Sequence, residues 1–348
     1  MTKESEFLPG IRRFFQIYFE EYTKGNYIPN KFAECFSEIK KIDKKFSKNS
    51  EKRESKYYQE KINALAQLFY NIQNKIYKEK LDIKINIQKI KNKDTYTIDL
   101  KDEALFFALK FVQKDIQKSF KVKQSNRDTI VEQIINLIDD DLPKFILRLD
   151  IKNFYETIPH DKLKKMINEN YILEPMSKKL IFSILKKYNQ LSKNKNMGIP
   201  RGIGISAYLS ELYMRDFDKN VKNLEEVVYY ARYVDDIIII STCNIENNLE
   251  NLLENIKLNF HNSESKKRNL IDTSEEPIIF DFLGYSFFRK NKDKLIIGLS
   301  KNKIKKYKDK IEESIKYYNE QSKYNEKEAR IMLKKIKIFN RKYSFIWR

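Results

Sequence analysis

The segment Tyr230-Ala231-Arg232-Tyr233-Val234-Asp235-Asp236-Ile237-Ile238-Ile239-Ile240 constrains this chain more than any other. Aromatic and β-branched residues favour strands, and an unbroken run of isoleucines predicts a strand buried on both faces. Asp-Asp between two such runs is turn chemistry, so the spacing predicts a hairpin over 228–241 with two carboxylates at its tip. Presenting two anions at the end of a buried hairpin is costly without a counter-charge. Carboxylate oxygens are the ligands Mg²⁺ prefers, which makes a divalent cation the simplest counter-charge. Asp139-Asp140-Asp141 lacks this apolar framing, is followed by Leu142-Pro143, and reads as a solvated turn.

A further acidic position ends a strand upstream. In Phe145-Ile146-Leu147-Arg148-Leu149-Asp150, the residues Phe145, Leu147 and Leu149 share one face and Asp150 closes the run. From Arg148 to Ile158 the sequence resembles motif A of reverse transcriptases, and Tyr233-Val234-Asp235-Asp236 resembles their Tyr-X-Asp-Asp motif C. Gly198-Ile199-Pro200-Arg201-Gly202-Ile203-Gly204-Ile205-Ser206 resembles motif B, and Phe282-Leu283-Gly284-Tyr285 resembles the primer grip. The runs Lys123–Asp128, Gly204–Met214 and Tyr230-Ala231-Arg232 are most similar to bacterial abortive-infection and defence-associated reverse transcriptases. They are less similar to retron, group II intron or retroviral enzymes, which usually carry Gln where Arg201 stands and often Ser-Pro where Ser206-Ala207 stands.

Charge agrees with a polyanionic partner. The 69 Lys/Arg against 49 Asp/Glu leave a formal net charge of +20. Residues 301–348 hold 16 basic and 6 acidic residues, a net of +10, so half the excess lies there. A solubilising helix surface would also produce such a segment. Two cysteines, Cys35 and Cys243, give no disulfide framework and fit a reducing cytoplasm. Two histidines, His160 and His261, exclude a multi-histidine zinc or iron site. No apolar stretch approaches 18 residues, so nothing in the sequence points to a membrane.

Residues 1–75 read as helical, with Phe14, Phe15, Tyr18, Phe19 and Tyr22 at near-helical spacing, and residues 41–57 as an exposed charged stretch. Alternation over 81–87 and from 95 to 100 predicts a pair of strands. The periodicity predicts helices over 103–120, 128–138 with Asp128 as N-cap, 161–169, 176–188, 205–222 and 246–260. Strands are expected at 144–150, 283–289 and 295–299, and a basic helix from Lys303 with Tyr307, Ile311 and Ile315 on one face.

The resemblance implies an α+β, right-hand polymerase fold of fingers, a palm with an antiparallel sheet, and a short helical thumb. It divides the chain into an N-terminal helical region and fingers (1–143), a palm (144–300) and a basic thumb or thumb start (301–348). It implies an RNA-directed DNA polymerase acting in antiphage defence with two Mg²⁺ ions, Mn²⁺ being an alternative. The catalytic residues would be Asp150, Asp235 and Asp236, and the metal ligands Asp150, Ile151, Asp235 and Asp236. Nucleotide contacts would come from Arg127 with Lys123 as a triphosphate clamp, unless Arg127 is an exposed capping pair with Asp128, and from Tyr155, Phe154, Gly202 and Arg201, with Gly204 also allowing close backbone approach. Tyr155 would be the steric gate against a 2′-hydroxyl, with Phe154 as competitor and an ordinary core aromatic as the alternative. Lys267 would be the general acid toward pyrophosphate, unless it is simply a solvated lysine.

Partners would be an RNA template, a DNA primer and product, and dNTPs. A non-coding RNA, a second defence protein or a second copy of the chain stay open, because the chain ends about 50 residues past the last expected palm strand. A template-independent or ribonucleotide-using palm polymerase, and a catalytically silent nucleic-acid-binding module, remain as alternatives.

Overall fold

The computed structural model of the chain describes residues 83–90, 93–99, 103–140, 142–261, 269–275, 277–290 and 293–321, with isolated helical positions at 60, 63, 64, 67, 70, 329, 330, 333 and 334. The expectations for residues 1–57 and for Lys267 lie outside the described residues. In chain order the elements are β1 (Ile85–Ile90), β2 (Lys93–Ile98), α1 (Glu103–Phe120), α2 (Arg127–Ile138), β3 (Phe145–Asp150), α3 (Phe154–Thr157), α4 (His160–Asn168) and α5 (Pro175–Leu191). They continue with α6 (Gly204–Lys222), β4 (Val227–Tyr233), β5 (Asp236–Ser241), α7 (Glu246–Asn255), β6 (Asn269–Asp272), β7 (Ile278–Phe282), β8 (Tyr285–Arg289), β9 (Ile296–Leu299) and α8 (Lys301–Gln321). No helix among the described residues is long and apolar enough to cross a membrane.

The elements fall into two compact units, each discontinuous in sequence. The first gathers the described residues up to Gln124 with Lys152–Phe217 and Leu253–Asn259. Its strands β1 and β2 pair antiparallel with Ile85 opposite Ile98. In α1 the apolar spacing buries Leu105, Ala108, Leu109, Val112 and Ile116 along one stripe. That helix packs on α5, as does α4. Pro175 opens α5, where a missing N–H costs nothing, and Leu180, Ile181, Ile184, Leu185 and Tyr188 are its buried side. The Tyr188 ring meets the Tyr96 ring edge-on at 5.0 Å.

The second unit holds Ser125–Ile151, Asp218–Leu252 and the described residues from Phe260 on. It contains an antiparallel four-stranded sheet in the order β4-β5-β3-β6 and a three-stranded sheet in the order β7-β8-β9. Its core joins Ile130, Val131, Ile134 and Ile138 of α2 to Ile146, Ile238 and Ile240 of the sheet and to Phe280, Phe282 and Phe287. Phe280 and Phe287 stack at 4.6 Å. Each such side chain removed from water contributes roughly 1.5–3 kcal/mol. The isoleucine run of β5 is fully buried because β4 and β3 pair with it on both edges and both of its faces are covered.

Three local expectations change. Asn126, not Asp128, caps α2: its side chain accepts from the Asp128 and Thr129 backbone N–H groups, which leaves Asp128 in the first turn, where an anion suits the helix dipole. α7 stops at Asn255 because Lys257 takes a left-handed φ of 52°, although buried Ile256 and Leu258 prolong the apolar pattern. Two short strands, β6 and β7, were not expected; β7 pairs with β8 from Ile278 opposite Arg289 to Phe282 opposite Tyr285.

Candidate active site

The carboxylates come together through strand register. β3 pairs antiparallel with β5 so that Asp150 stands opposite Asp236, at the end of a run that aligns Ile146 with Ile240. Opposed residues of paired strands project to the same face with Cβ atoms about 5 Å apart. Tyr233 pairs with Asp236, so Val234 and Asp235 form a two-residue hairpin turn. Asp235 is fixed from below by the Ile151 N–H, which donates to its carbonyl at 3.1 Å.

Val234 has a φ of 61°. A β-branched residue in the left-handed region costs on the order of 1–3 kcal/mol and persists only where its surroundings impose it. Arg232 supplies part of that constraint, as its Nη1 donates to the Val234 carbonyl at 3.0 Å. The same guanidinium is 3% exposed and forks onto Asp218, with Nε to Oδ1 at 2.9 Å and Nη2 to Oδ2 at 2.8 Å. Tyr230 donates to Asp218 as well, at 2.6 Å, and burial together with that anion holds its phenol well above its usual pKa.

A cleft of about 440 Å³ opens over the hairpin tip. Asp150, Asp235, Asp236 and Asp281 line it together with Arg127, Arg148, Lys303 and Lys306, an even match of acids and bases. Arg148 lies two residues before Asp150 and so on the same side of β3. Its Nε is buried with no hydrogen-bond partner. Burial lowers the Arg148 pKa, and the carboxylates of Asp281, Asp236 and Asp150 oppose that shift, so the arginine is a counter-charge beneath the acidic set. His261 holds Asp150 from a second side: its backbone N–H donates to the Asp150 carbonyl at 2.9 Å, and its Nε2 lies 3.6 Å from Oδ1.

The turn between β7 and β8 reaches the same cleft. Leu283 and Gly284 have φ of 49° and 79°, the primed two-residue turn that suits the twist of a hairpin. Arg127, the first residue of α2, donates from Nη2 to the Leu283 carbonyl. Its guanidinium also lies over the Tyr285 ring at 5.4 Å, and a Cβ on Gly284 would meet Nη2 at 3.1 Å. One hydrogen bond and one ring contact of Arg127 are therefore made to the 283–285 turn, a use that the expectation of a triphosphate clamp does not include.

The other expected nucleotide contacts lie in the first unit. Phe154 is 1% exposed and belongs to the core. Tyr155 beside it is half-buried, with Phe154 edge-on at 5.8 Å and the Arg201 guanidinium over its ring at 5.0 Å. Gly202 is filled from within: a Cβ there would strike Thr95 Cγ2 at 2.6 Å and the Tyr96 carbonyl at 2.7 Å. The Tyr96 N–H donates to the Arg201 carbonyl at 2.7 Å, so this close backbone approach is to β2 of the same chain. Gly204 is likewise pressed against the Gln113 side chain. Lys123 is exposed. Arg148, His261, Lys303 and Lys306 were not among the expected site residues; the signals were the position of Arg148 in the strand ending at Asp150 and, for the two lysines, the basic segment that begins at 301.

The reverse transcriptase (RNA-dependent DNA polymerase) family matches residues 104–287. The chain belongs to this family. Asp150, Asp235, Asp236, Arg127 and the 282–285 turn all fall inside the matched span of the reverse transcriptase. Comparison with curated proteins finds no match. Among solved structures, the chain is similar to apo telomerase from Candida tropicalis lacking its C-terminal domain, at 12% identity and a TM-score of 0.44 over 63% of this chain and 55% of that one. It is also similar to telomerase from Candida albicans in complex with the TWJ fragment of telomeric RNA, at 14% identity and a TM-score of 0.42 over 69% of this chain and 50% of that one. The reverse transcriptase chain thus spans about half the length of these telomerases.

Divalent metals generally accompany such a domain. The donors here suit Mg²⁺ in kind, being oxygen anions on one cleft wall with a buried arginine behind them. Among the described residues no three carboxylate, imidazole or thiol groups converge on one point that could hold an ion.

Proposed function

We propose that the chain is an RNA-directed DNA polymerase of the bacterial abortive-infection or defence-associated type. The single observation that carries the polymerase part of this reading is the cleft lined by Asp150, Asp235 and Asp236 together with Arg127, Lys303 and Lys306. Nucleotide addition is an in-line phosphoryl transfer from a 3′-hydroxyl, in which a protein contributes positioning and charge stabilisation. Asp150, Asp235, Asp236 and the backbone at Ile151 would hold a pair of Mg²⁺ ions, which in such sites activate the attacking oxygen and stabilise the leaving pyrophosphate. Asp150 is held in place for this by His261 and by its register with Asp236. Arg148 offsets the mutual repulsion of the carboxylates.

Lys303 and Lys306 lie in the first turns of α8, where side-chain charge and helix dipole together favour phosphate oxygens. We assign residues 144–300 to the palm, 1–143 to the N-terminal region and fingers, and 301–348 to a basic thumb. Tyr155 would act as the sugar gate, supported by the burial of Phe154. The partners would be an RNA template, a DNA primer or product and dNTPs. The defence role rests on the Lys123–Asp128, Gly204–Met214 and Tyr230-Ala231-Arg232 segments.

Purified protein with Mg²⁺, labelled dNTPs or rNTPs, and RNA, DNA or no template tests the proposal. Incorporation of dNTPs that depends on RNA supports it. Template-free extension, rNTP preference, or no incorporation with nucleic-acid binding retained would each replace it.

A further inference from the structure

We propose that Arg201 and Glu156 act as one unit that positions the Tyr155 ring, and that this pair sets how strongly the polymerase rejects a ribonucleotide. The inference rests on the reading of Tyr155 as the sugar gate. It adds a specificity role for two residues that would not touch the nucleotide.

The geometry begins with the backbone. The Ile199 N–H donates to the Tyr155 carbonyl and the Gly198 N–H to the Ile158 carbonyl, both at 2.7 Å, so the 198–201 loop is laced to the segment that carries Tyr155. Ser206 Oγ donates to the Pro200 carbonyl at 2.7 Å, and the Tyr96 N–H to the Arg201 carbonyl at 2.7 Å. With the main chain held at these points, the side-chain torsions of Tyr155 are the remaining freedom.

Arg201 closes that freedom. Its guanidinium centre lies 5.0 Å over the Tyr155 ring, while Phe154 meets the ring edge-on. Two bonds to the neighbouring carboxylate fix the guanidinium plane: Nε to Glu156 Oε1 at 3.0 Å and Nη2 to Oε2 at 3.2 Å. Only arginine presents this two-pronged donor set, and only a flat cation both forks onto a carboxylate and lies over a ring.

Arg201 and Glu156 are 28% and 34% exposed, and ion pairs at such exposure add little stability. The pair is thus poorly explained as a stabilising contact and well explained as a positioning one. A ring that excludes a hydroxyl by bulk needs a fixed plane, since a shift of about 1 Å in a positioning group changes reaction rates up to a hundredfold.

The test measures kcat/KM for a matched dNTP and rNTP in the wild type, Tyr155→Val, Arg201→Gln, Arg201→Lys, Glu156→Gln and the Arg201→Gln/Glu156→Gln double variant. Thermal melting of each variant checks that it folds. Tyr155→Val should collapse discrimination. Arg201→Gln and Glu156→Gln should each lower the dNTP-to-rNTP ratio about tenfold, the scale of one lost specificity contact. The double variant should lower it no further than either single change. Arg201→Lys, which keeps charge but not the fork, should behave as Arg201→Gln. Glu156→Gln should leave dNTP efficiency within about threefold of wild type.

If Tyr155→Val moves the ratio and neither partner variant does, the gate reading stands and the positioning pair is refuted. If Arg201→Gln raises the dNTP KM while Glu156→Gln is silent, Arg201 binds nucleotide directly and the proposal is also refuted. An unchanged ratio in Tyr155→Val overturns the gate reading and this inference with it.

Discussion

Arg232 donates to the carbonyl of Val234 across a single intervening residue, at 3.0 Å. The bond ties the strained position of the β4–β5 turn to a buried ion pair with Asp218. The acidic tip is thus held from behind by a fixed cation, and that arrangement can be broken selectively. Arg232→Ala strips Asp218 of both guanidinium bonds and leaves it the Tyr230 hydroxyl. Breaking a buried pair costs about 3–5 kcal/mol, which urea unfolding would measure. A loss under 1 kcal/mol would mean the turn is held by strand pairing alone.

Asp235→Asn changes volume little and removes one anion from the tip. Nucleotide incorporation should fall at least about a hundredfold, the scale for losing one group that stabilises transition-state charge. Stability without metal should hold or rise, because a like-charge contact is relieved. Activity within tenfold of wild type would remove Asp235 from the metal assignment.

Arg127→Ala should act on primer binding. The Leu283 carbonyl loses a charged donor, a contact worth about 1.5–3 kcal/mol, and the 283–284 turn loosens. Primer–template affinity should fall while the KM for dNTP stays within about threefold. The opposite pattern, a KM raised tenfold with unchanged stability and primer affinity, would restore the triphosphate clamp.

Gly202→Ala tests the packing of the glycine loop on β2. Its φ of 99° disfavours any side chain, and the new Cβ would collide with the Tyr96 carbonyl, a backbone atom that cannot swing aside. Strain alone costs about 1–3 kcal/mol. A drop in melting temperature is expected; an unchanged melt would show that β2 yields freely.

His160 should make the fold acid-sensitive. Its Nε2 lies 2.6 Å from the Gly198 carbonyl, which only accepts, so that nitrogen carries the proton of the neutral ring. Burial lowers the folded-state pKa below 6.5, an effect the Gly198 bond only partly offsets. The unfolded state therefore binds the extra proton first as pH falls. Its contribution to stability is complete above the unfolded pKa near 6.5 and is lost as pH drops through the lower folded value. Unfolding free energies at pH 7.5 and 5.5 should differ less in His160→Gln than in the wild type. Equal differences would reassign the acid sensitivity to other groups.

Much of this was legible because it depended on neighbours in sequence. The span of α1, the β4–β5 hairpin and the aspartates at its tip follow from apolar periodicity and turn chemistry. What escaped was set by partners far along the chain. β6 is a four-residue strand, too short to show a period, and exists because β3 offers it an edge. His261 reaches Asp150 through a loop, and nothing in its own surroundings marks it. Arg127 carried the expected charge, yet Leu283, 156 residues later, decides where that charge points. Gly202 was recognised as a site of close approach, but the approaching backbone was that of β2.

The discontinuity of the two units has a consequence for how the molecule is made. The chain passes between them after Gln124, Ile151, Phe217, Leu252 and Asn259. No terminal truncation can deliver one unit free of pieces of the other, and a fragment ending before Leu283 lacks part of the wall around its own carboxylates. At about 5–20 residues per second of synthesis, the nascent Asp150 waits on the order of ten seconds for that wall to emerge. For the part of that interval before β5 and β6 emerge, the edges of β3 are unpaired strand, the kind of surface that is prone to aggregate. Slower synthesis would lengthen the time for which those edges stay open, because the strands that close them come from 86 to 122 residues beyond Asp150 along the chain.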